Sequence, residues 1–384
     1  MDFSFNTVAT ILCEDGITSQ RLGALVKERW GQKRILLVTD AGLVGAGLVD
    51  PVVKCLTSSS HHVEIFDGVT ADPPEAVVLA AAKQAEREKC DFVLGFGGGS
   101  SLDVAKVVSV LAMGNQEITE IYGIDLVKGD RLPLMLVPTT AGTGSEVTSI
   151  SIITTGETSK NSVIARQLYA DIAILDATLT LKLPSHVAAA TGVDAMVHAI
   201  EAYTSKIKKN PLSDSLALKA LSLMSHNIVA ACEAGENIEA SRAMLLGAML
   251  AGQAFANAPV GGIHALAYPL GGIFHIPHGH SNALIMPHMM KFNQSVCRSL
   301  YAEIAEVCFP TIEGTEDNKC EALLQYLELL PKMLGLETKL SAMDIRDEDL
   351  DVLATDAVTY TRLLVNNPRE ITVEDARAIY GAAF

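Results

Sequence analysis

An α/β N-terminal domain built on a parallel sheet, followed by an all-helical C-terminal domain, is the fold class this sequence predicts. Three observations carry it. Residues 1–180 alternate short apolar runs with helix-like stretches. Those runs are continuously apolar, as in a parallel sheet covered on both faces, not alternating as in a half-exposed sheet. From about residue 183 the strand-like runs stop and helical periodicity continues to the end. The boundary falls at Leu183-Pro184, giving domains 1–183 and 184–384.

The elements follow in order. Residues 34–39 (R-I-L-L-V-T) read as a buried strand and 41–56 as a helix. Residues 62–66 form a second strand, followed by a helix that starts at Pro73 or Pro74, where proline is tolerated, and runs to about Lys89. Residues 91–95 (D-F-V-L-G) give a third strand, 101–113 a helix, and 133–137 (P-L-M-L-V) a fourth strand. Strand–helix–strand repetition of this kind builds a parallel sheet that binds ligands at the carboxyl ends of its strands. In the second half, helical periodicity covers 185–205, 213–234, 238–257, 294–308, 320–330 and 372–380, with Pro331 as a stop. The charged piece 313–319 (E-G-T-E-D-N-K) reads as an exposed loop.

Composition narrows the function classes. The chain has 384 residues, 49% of them hydrophobic and 19% charged, which suits two well-buried domains and excludes a disordered chain. A net charge of −16 argues against nucleic acid or an anionic membrane surface as partner. Gly, Pro and charges interrupt each apolar segment, so no membrane span is expected. The first twenty residues hold no basic n-region, so no signal peptide is expected. Seven cysteines, at 13, 55, 90, 232, 297, 308 and 320, form no C-x-x-C pair and read as reduced thiols of a cytoplasmic protein.

Two loops leave the strand ends. In G-F-G-G-G-S-S-L-D (95–103), Gly97, Gly98 and Gly99 let backbone approach a ligand, and Ser100 or Ser101 can cap the next helix. Its N-terminal amides would then face a pyrophosphate. This is not the G-x-G-x-x-G spacing, and alone a glycine triplet is as readily a tight turn. The loop P-T-T-A-G-T-G-S-E (138–146) has the same hydroxyl-and-glycine character after the same kind of strand. Asp40, at the end of V-T-D, reads both as a helix N-cap and as a carboxylate for a ribose diol, which would favour NAD over NADP.

The chemistry-bearing stretch is 192–279. Asp194 and His198 stand four apart in an apolar run without Gly or Pro, so a helix presents both on one face. His264 and His278 sit in a segment broken by Gly261, Gly262, Pro269, Gly271, Gly272 and Pro277, so the chain must bend between them. Taken singly, an Asp-x3-His pair is more often a surface contact, and a His in a Gly-rich segment a core residue. Together with the nucleotide loops, one carboxylate and three imidazoles read as ligands of a divalent transition metal.

These blocks resemble the iron-containing (group III) alcohol dehydrogenase family, related to dehydroquinate synthase and glycerol dehydrogenase. The likeness spans almost the whole chain: V-T-D-A-G-L, F-D-G-V-T-A-D-P-P, F-G-G-G-S-S-L-D-V-A-K, P-T-T-A-G-T-G-S-E-V-T, G-V-D-A-M-V-H-A-I-E-A-Y, H-A-L-A-Y-P-L-G-G, P-H-G and N-P-R-E-I-T-V-E-D. The resemblance implies a dehydroquinate synthase-like fold, with a nucleotide-binding first domain, a metal-binding helical second domain and an active site in the cleft between. It implies Asp194, His198, His264 and His278 as ligands of Fe(II), with Zn(II) as the competing ion. It implies that NAD touches Asp40, Gly97, Gly98, Ser100, Asp103, Thr139, Thr140, Ser145 and Lys160. The catalytic residues implied are His278 and the group at Tyr268, where the commonest family pattern has a proton-relay His. A tyrosine hydroxyl or water must then carry the proton. Asp72 stands where Asn commonly precedes Pro. His275, three before His278, reads as a pocket or outer-contact residue. The implied activity is NAD-dependent interconversion of a primary alcohol and its aldehyde, with a hydroxyacid such as 4-hydroxybutyrate as the alternative that Tyr268 suggests. Family habit implies a homodimer or larger homo-oligomer.

The substrate pocket is expected to draw on Phe255, Ile263, Tyr268, Phe274 and Tyr360. A dehydroquinate-synthase-like lyase would need a pocket rich in Arg and Lys, and residues 183–300 hold few. A non-catalytic nucleotide-binding scaffold would have no use for four intact ligands.

Overall fold

A computed structural model describes residues 2–156, 159–233 and 237–384. The chain divides into two compact units: Thr7–Thr140 with Gly144–Lys182, and Leu183–Phe384 with Met1–Asn6 and Ala141–Thr143.

The first unit is built on a six-stranded sheet of β1 (Ile11–Cys13), β2 (Arg34–Val38), β3 (His62–Phe66), β4 (Phe92–Gly97), β6 (Leu134–Pro138) and β9 (Ile172–Leu175). A second sheet holds β5 (Gly123–Ile124), β7 (Ile150–Thr155) and β8 (Ser159–Ile164). The six strands are all parallel, in the order β1-β9-β6-β4-β2-β3. The helices α1 (Leu22–Trp30), α2 (Val49–Ser58), α3 (Glu75–Arg87) and α4 (Gly99–Leu111) cover it. One core joins Leu22 and Val26, Val52 and Leu56, and Ile35, Leu37, Phe92, Leu94, Met135 and Ile174. Gly95 of β4 lets α4 lie close: a Cβ there would meet Leu136 Cδ2 at 2.6 Å and Ala105 Cβ at 2.8 Å.

The four strands read from apolar runs are present. The parallel sheet gains β1 and β9, both too short to stand out as runs. The antiparallel pair β7–β8 was not read either, because S-K-N-S at 159–162 is polar. The single helix expected over 41–56 is two pieces, Ala41–Gly45 and Val49–Ser58, because Gly47 adopts φ +71° between them.

A buried charge ties the two sheets together. Lys106, on α4, has no exposed surface. Its Nζ donates to Ser145 Oγ (2.6 Å), Thr148 Oγ1 (3.0 Å) and the Ile150 carbonyl (2.8 Å), and lies 3.3 Å from Asp103 Oδ1. Burial lowers the ammonium's pKa, and the Asp103 carboxylate opposes that fall. Asp103 Oδ2 accepts the backbone N–H of Ile152 (2.8 Å).

The second unit is helical: α5 (Ser185–Thr204), α6 (Pro211–Cys232), α7 (Ile238–Asn257), α8 (Gly262–Phe274), α9 (His278–Cys308), α10 (Glu316–Met333), α11 (Leu350–Ala357) and α12 (Val373–Ala383). Local chemistry starts them. Asn210 and Asn237 cap α6 and α7, and Thr315–Asn318 and Thr372–Asp375 form capping boxes for α10 and α12. Four expectations change. The helix placed at 294–308 begins at His278 and passes through Pro287. The stop at Pro331 is not one, since α10 continues to Met333. The loop at 313–319 is half helix, with Glu316 and Asp317 in the favourable first turn of α10. The helix expected to reach Ala234 ends at Cys232, and Ala234 lies outside the described residues.

The expectation that no apolar segment reaches membrane-spanning length also needs correction. Helix α6, 22 residues, is long and apolar enough by length and composition alone. It packs along α5 and α7, and its first turn carries Asp214, paired with Lys209 at 2.6 Å.

Substituting Lys106→Met should lower the free energy of unfolding by about 3–5 kcal/mol, because Asp103 keeps its charge and loses its buried partner. Urea denaturation checks this. Glu146, 2% exposed, supplies a pH dependence: burial raises its pKa to about 7 from the ordinary 4.5, with the nearby Lys106 pulling the other way. Between those values the native state holds a proton that the unfolded state releases, so stability falls as pH rises through that window and is level above it. Glu146→Gln should abolish the slope and be the more stable protein at pH 8, as read by unfolding across pH 4–8.

Candidate metal centre and nucleotide loops

Three helices of the second unit bring four donors together. Asp194 and His198 lie one turn apart on α5, His264 is in the first turn of α8, and His278 is the first residue of α9. One donor atom from each lies within 4.8 Å of all the others. Asp194 Oδ1 is 3.7 Å from His278 Nε2 and 3.9 Å from His264 Nε2, and Asp194 Oδ2 is 4.0 Å from His198 Nδ1. Asp194, His264 and His198 are buried, with 3%, 3% and 7% of the side chain exposed, whereas His278 is 35% exposed.

The bend the glycines and prolines require is present. Helix α8 ends at His275 in the left-handed conformation (φ +57°), and α9 starts three residues later. His275 is exposed and contributes no donor to the cluster. Gly279 permits the approach of α9 to α5, since a Cβ there would meet the Ala190 carbonyl oxygen at 2.4 Å and Asp194 Cβ at 3.3 Å.

The electrostatics favour a cation. Burial by itself raises the Asp194 pKa; His198, His278, His264 and the Asn282 amide overcome it and bring the carboxyl below its usual range. Burial holds His198 down at about 3, so the ring is neutral and has a lone pair to offer. Its Nδ1 is buried with no hydrogen-bond partner. Asn282, one turn along α9, donates from Nδ2 to Asp194 Oδ1 at 2.6 Å and reaches the Nε2 atoms of His264 (3.3 Å) and His278 (3.4 Å), while its own Oδ1 is also an orphan. A buried imidazole nitrogen left without a partner beside a carboxylate and two further imidazoles suits a divalent ion bound through nitrogen and oxygen.

Sequence reasoning missed Glu201. It sits three residues after His198 on the same face of α5, and its Oε2 is 2.6 Å from His264 Nδ1. The 194–198–201 spacing was the available signal. Aromatic side chains flank the donors. Phe255 stacks on His198 (4.4 Å between centroids), and Tyr268 lies 5.9 Å from His278 and edge-on to Tyr360 at 5.2 Å. Ile263 is buried, and its backbone N–H bonds Glu201; Phe274 is half-buried at the end of α8.

In the first unit, the strand order reverses between β2 and β4, where open parallel sheets form their ligand crevice. Asp40 follows β2 and caps the next turn, its Oδ1 accepting from the Leu43 N–H (3.1 Å). Gly97 and Gly98 end β4 and open α4, with Ser100 in its first turn. A Cβ on Gly97 would strike Ser101 at 2.6 Å, while one on Gly98 would meet Thr140 at an ordinary 3.6 Å. Thr139 follows β6 and donates its N–H to the Gly97 carbonyl (3.0 Å). These six residues share one end of the sheet. Asp103 and Ser145 lie beneath them, bonded to each other at 2.6 Å within the Lys106 network. Lys160, on β8, pairs with Asp72 Oδ1 at 2.6 Å.

Comparisons with known proteins identify the family. Residues 9–177 match the family described as iron-containing alcohol dehydrogenase, and residues 188–384 match the C-terminal part of the Fe-containing alcohol dehydrogenase family. The long-chain-alcohol dehydrogenase 1 of Geobacillus thermodenitrificans is 41% identical over 373 residues, covering 94% of this chain and 93% of that protein. The crystal structure of a 1,3-propanediol oxidoreductase superposes with a TM-score of 0.95 at 32% identity, over the whole of both chains. The sulfoacetaldehyde reductase of Bifidobacterium kashiwanohense, solved in complex with NAD+, gives 0.88 at 27% identity, over 100% of this chain and 99% of that one.

Gly279→Ala should cost about 1–3 kcal/mol, as overpacking does. It should also displace His278 from Asp194, so purified protein should retain less metal. Thermal unfolding together with metal analysis reads both effects.

Proposed function

The chain belongs to the iron-containing alcohol dehydrogenase family, and from that premise we propose that it interconverts a primary alcohol and its aldehyde with NAD, at a metal held by Asp194, His198, His264 and His278. The observation that carries this reading is the convergence of those four donors within 4.8 Å.

When bound, the divalent cation supplies a Lewis acid for the alcohol oxygen, and NAD supplies the hydride acceptor. The protein's own groups do the rest. Three buried ligands leave His278 as the exposed side of the cluster, so substrate approaches there. Tyr268, beside His278, takes the place of the family's usual histidine and passes the hydroxyl proton through its phenol. Phe255, Tyr268 and Tyr360 give the pocket an apolar wall suited to an aliphatic chain. The long-chain-alcohol specificity in the name of the Geobacillus relative supports such a substrate. For the cofactor, Asp40 takes the ribose hydroxyls, and the backbone of Gly97, Gly98 and Ser100 at the start of α4 takes the pyrophosphate, flanked by Thr139 and Thr140. Asp103 and Ser145 hold that loop from beneath, and Lys160 with Asp72 borders it. Cysteines that form no disulfide among the described residues support an intracellular enzyme, and family habit supports a homo-oligomer.

Protein stripped with a chelator should lose turnover and regain it with Fe(II) or Zn(II). In a panel of butanal, longer aldehydes, lactaldehyde and succinic semialdehyde, the apolar aldehydes should be reduced fastest with NADH. His264→Ala should abolish metal retention and lower turnover by at least about 10³-fold while NAD binding survives. An active, metal-free His264→Ala protein would overturn the assignment.

A further inference from the structure

The mechanism above leaves one buried carboxylate of the helical unit unused. Glu201 is 5% exposed, and such a group is costly to bury unless each oxygen finds a donor. Both do. Oε1 accepts the backbone N–H of Ile263 at 2.7 Å, and Oε2 contacts His264 Nδ1 at 2.6 Å. The first contact caps α8, whose N-cap residue, Gly261, has no side chain to serve that end. The second sets the ring of a candidate ligand.

We infer that Glu201 is a positioning residue for the metal centre: by accepting the Nδ1 proton of His264 it keeps the Nε2 lone pair directed at Asp194 and raises affinity for a divalent metal. This rests on the reading of the four donors as a metal site. The chemistry follows from tautomers. A neutral imidazole carries one proton, and a carboxylate accepting at Nδ1 leaves Nε2 bare. Nε2 is the atom that faces Asp194 Oδ1. The same carboxylate, through Ile263, also fixes where His264 starts on its own helix. Glu201 sits on α5 three residues from His198 and seven from Asp194, so one face of one helix supplies two donors and sets the orientation of a third. Carboxylates holding metal-binding histidines in this way recur in metalloproteins, and their loss typically weakens binding about 10–100-fold.

Glu201→Gln is the discriminating variant. It keeps shape and volume but has one acceptor oxygen for two donors. If its amide N–H₂ faces His264, Nδ1 must accept and the proton moves to Nε2, the ligand atom. Metal-stripped full-length protein, the Glu201→Gln and Glu201→Asp variants and His264→Ala are titrated with Co(II) and with Zn(II) against a competing chelator. The visible spectrum of the Co(II) forms and the far-UV circular dichroism are recorded alongside. The expected result is a 10–100-fold weaker affinity for Glu201→Gln, a changed Co(II) spectrum and unchanged helix content, with partial recovery in Glu201→Asp. Affinity and spectrum within about twofold of the parent in Glu201→Gln would overturn the inference while leaving the metal site standing. Failure of the parent protein itself to bind either ion would overturn both.

Discussion

A carboxylate with 3% of its surface exposed is the constraint on which the helical unit depends. Asp194 cannot stay ionised there without compensation. Three imidazoles and one amide provide part of it, and their sum outweighs burial. Each arrives by a different device. His198 comes by helical spacing, His264 by a helix whose start is capped from α5, and His278 by a helix that packs against α5 only because Gly279 has no Cβ. The surrounding groups are not all satisfied, since His198 Nδ1 and Asn282 Oδ1 have no hydrogen-bond partner. A divalent ion would give these buried donors a shared partner.

The α/β unit solves the converse problem. Lys106 is a cation with no exposed surface, and it collects a carboxylate, two hydroxyls and a carbonyl. The motif S-S-L-D-V-A-K therefore has two jobs at once. Its first residues form the open end of α4, where backbone is free of bulky side chains. Its last ones anchor α4 to β7 and to the turn at Ser145–Val147. Asp103 and Ser145 take part in that anchor, so the motif that reads as a ligand-binding unit also serves as scaffold.

Legibility in the sequence followed the strength of the physical signal. The four donors could be nominated because an Asp-x3-His pair, a broken His-bearing segment and the nucleotide loops occur in one chain, although each pattern taken singly more often has another use. The buried strands could be read because parallel sheets demand continuous apolar runs. Strands β1 and β9 were too short for that test, and β8 is too polar. Helix α9 was hidden because Pro287 ordinarily ends a helix, while the tertiary packing of Ala283, Leu284, Met286 and Met290 on either side carries it through. Glu201 was hidden for a different reason. Glutamate in a helix is ordinarily solvated, and its spacing from His198 looks the same whether the residue is exposed or buried. Only the packing of α8 against α5 separates those cases.

The donor set leaves the identity of the ion open, and that directs attention outward from it. Three imidazoles and a carboxylate bind Fe(II) and Zn(II) alike, and by intrinsic affinity zinc wins. Preference for iron in such a site must then come from metal supply or from geometry. Geometry is set by the groups that hold the donors: Glu201 on His264, Asn282 on Asp194, Phe255 stacked on His198, and the backbone of Gly142 bonded to the His198 ring. His278, beside Asn282 and Tyr268, is the most exposed of the four. The open flank of the cluster is therefore at His278, on the side of Tyr268.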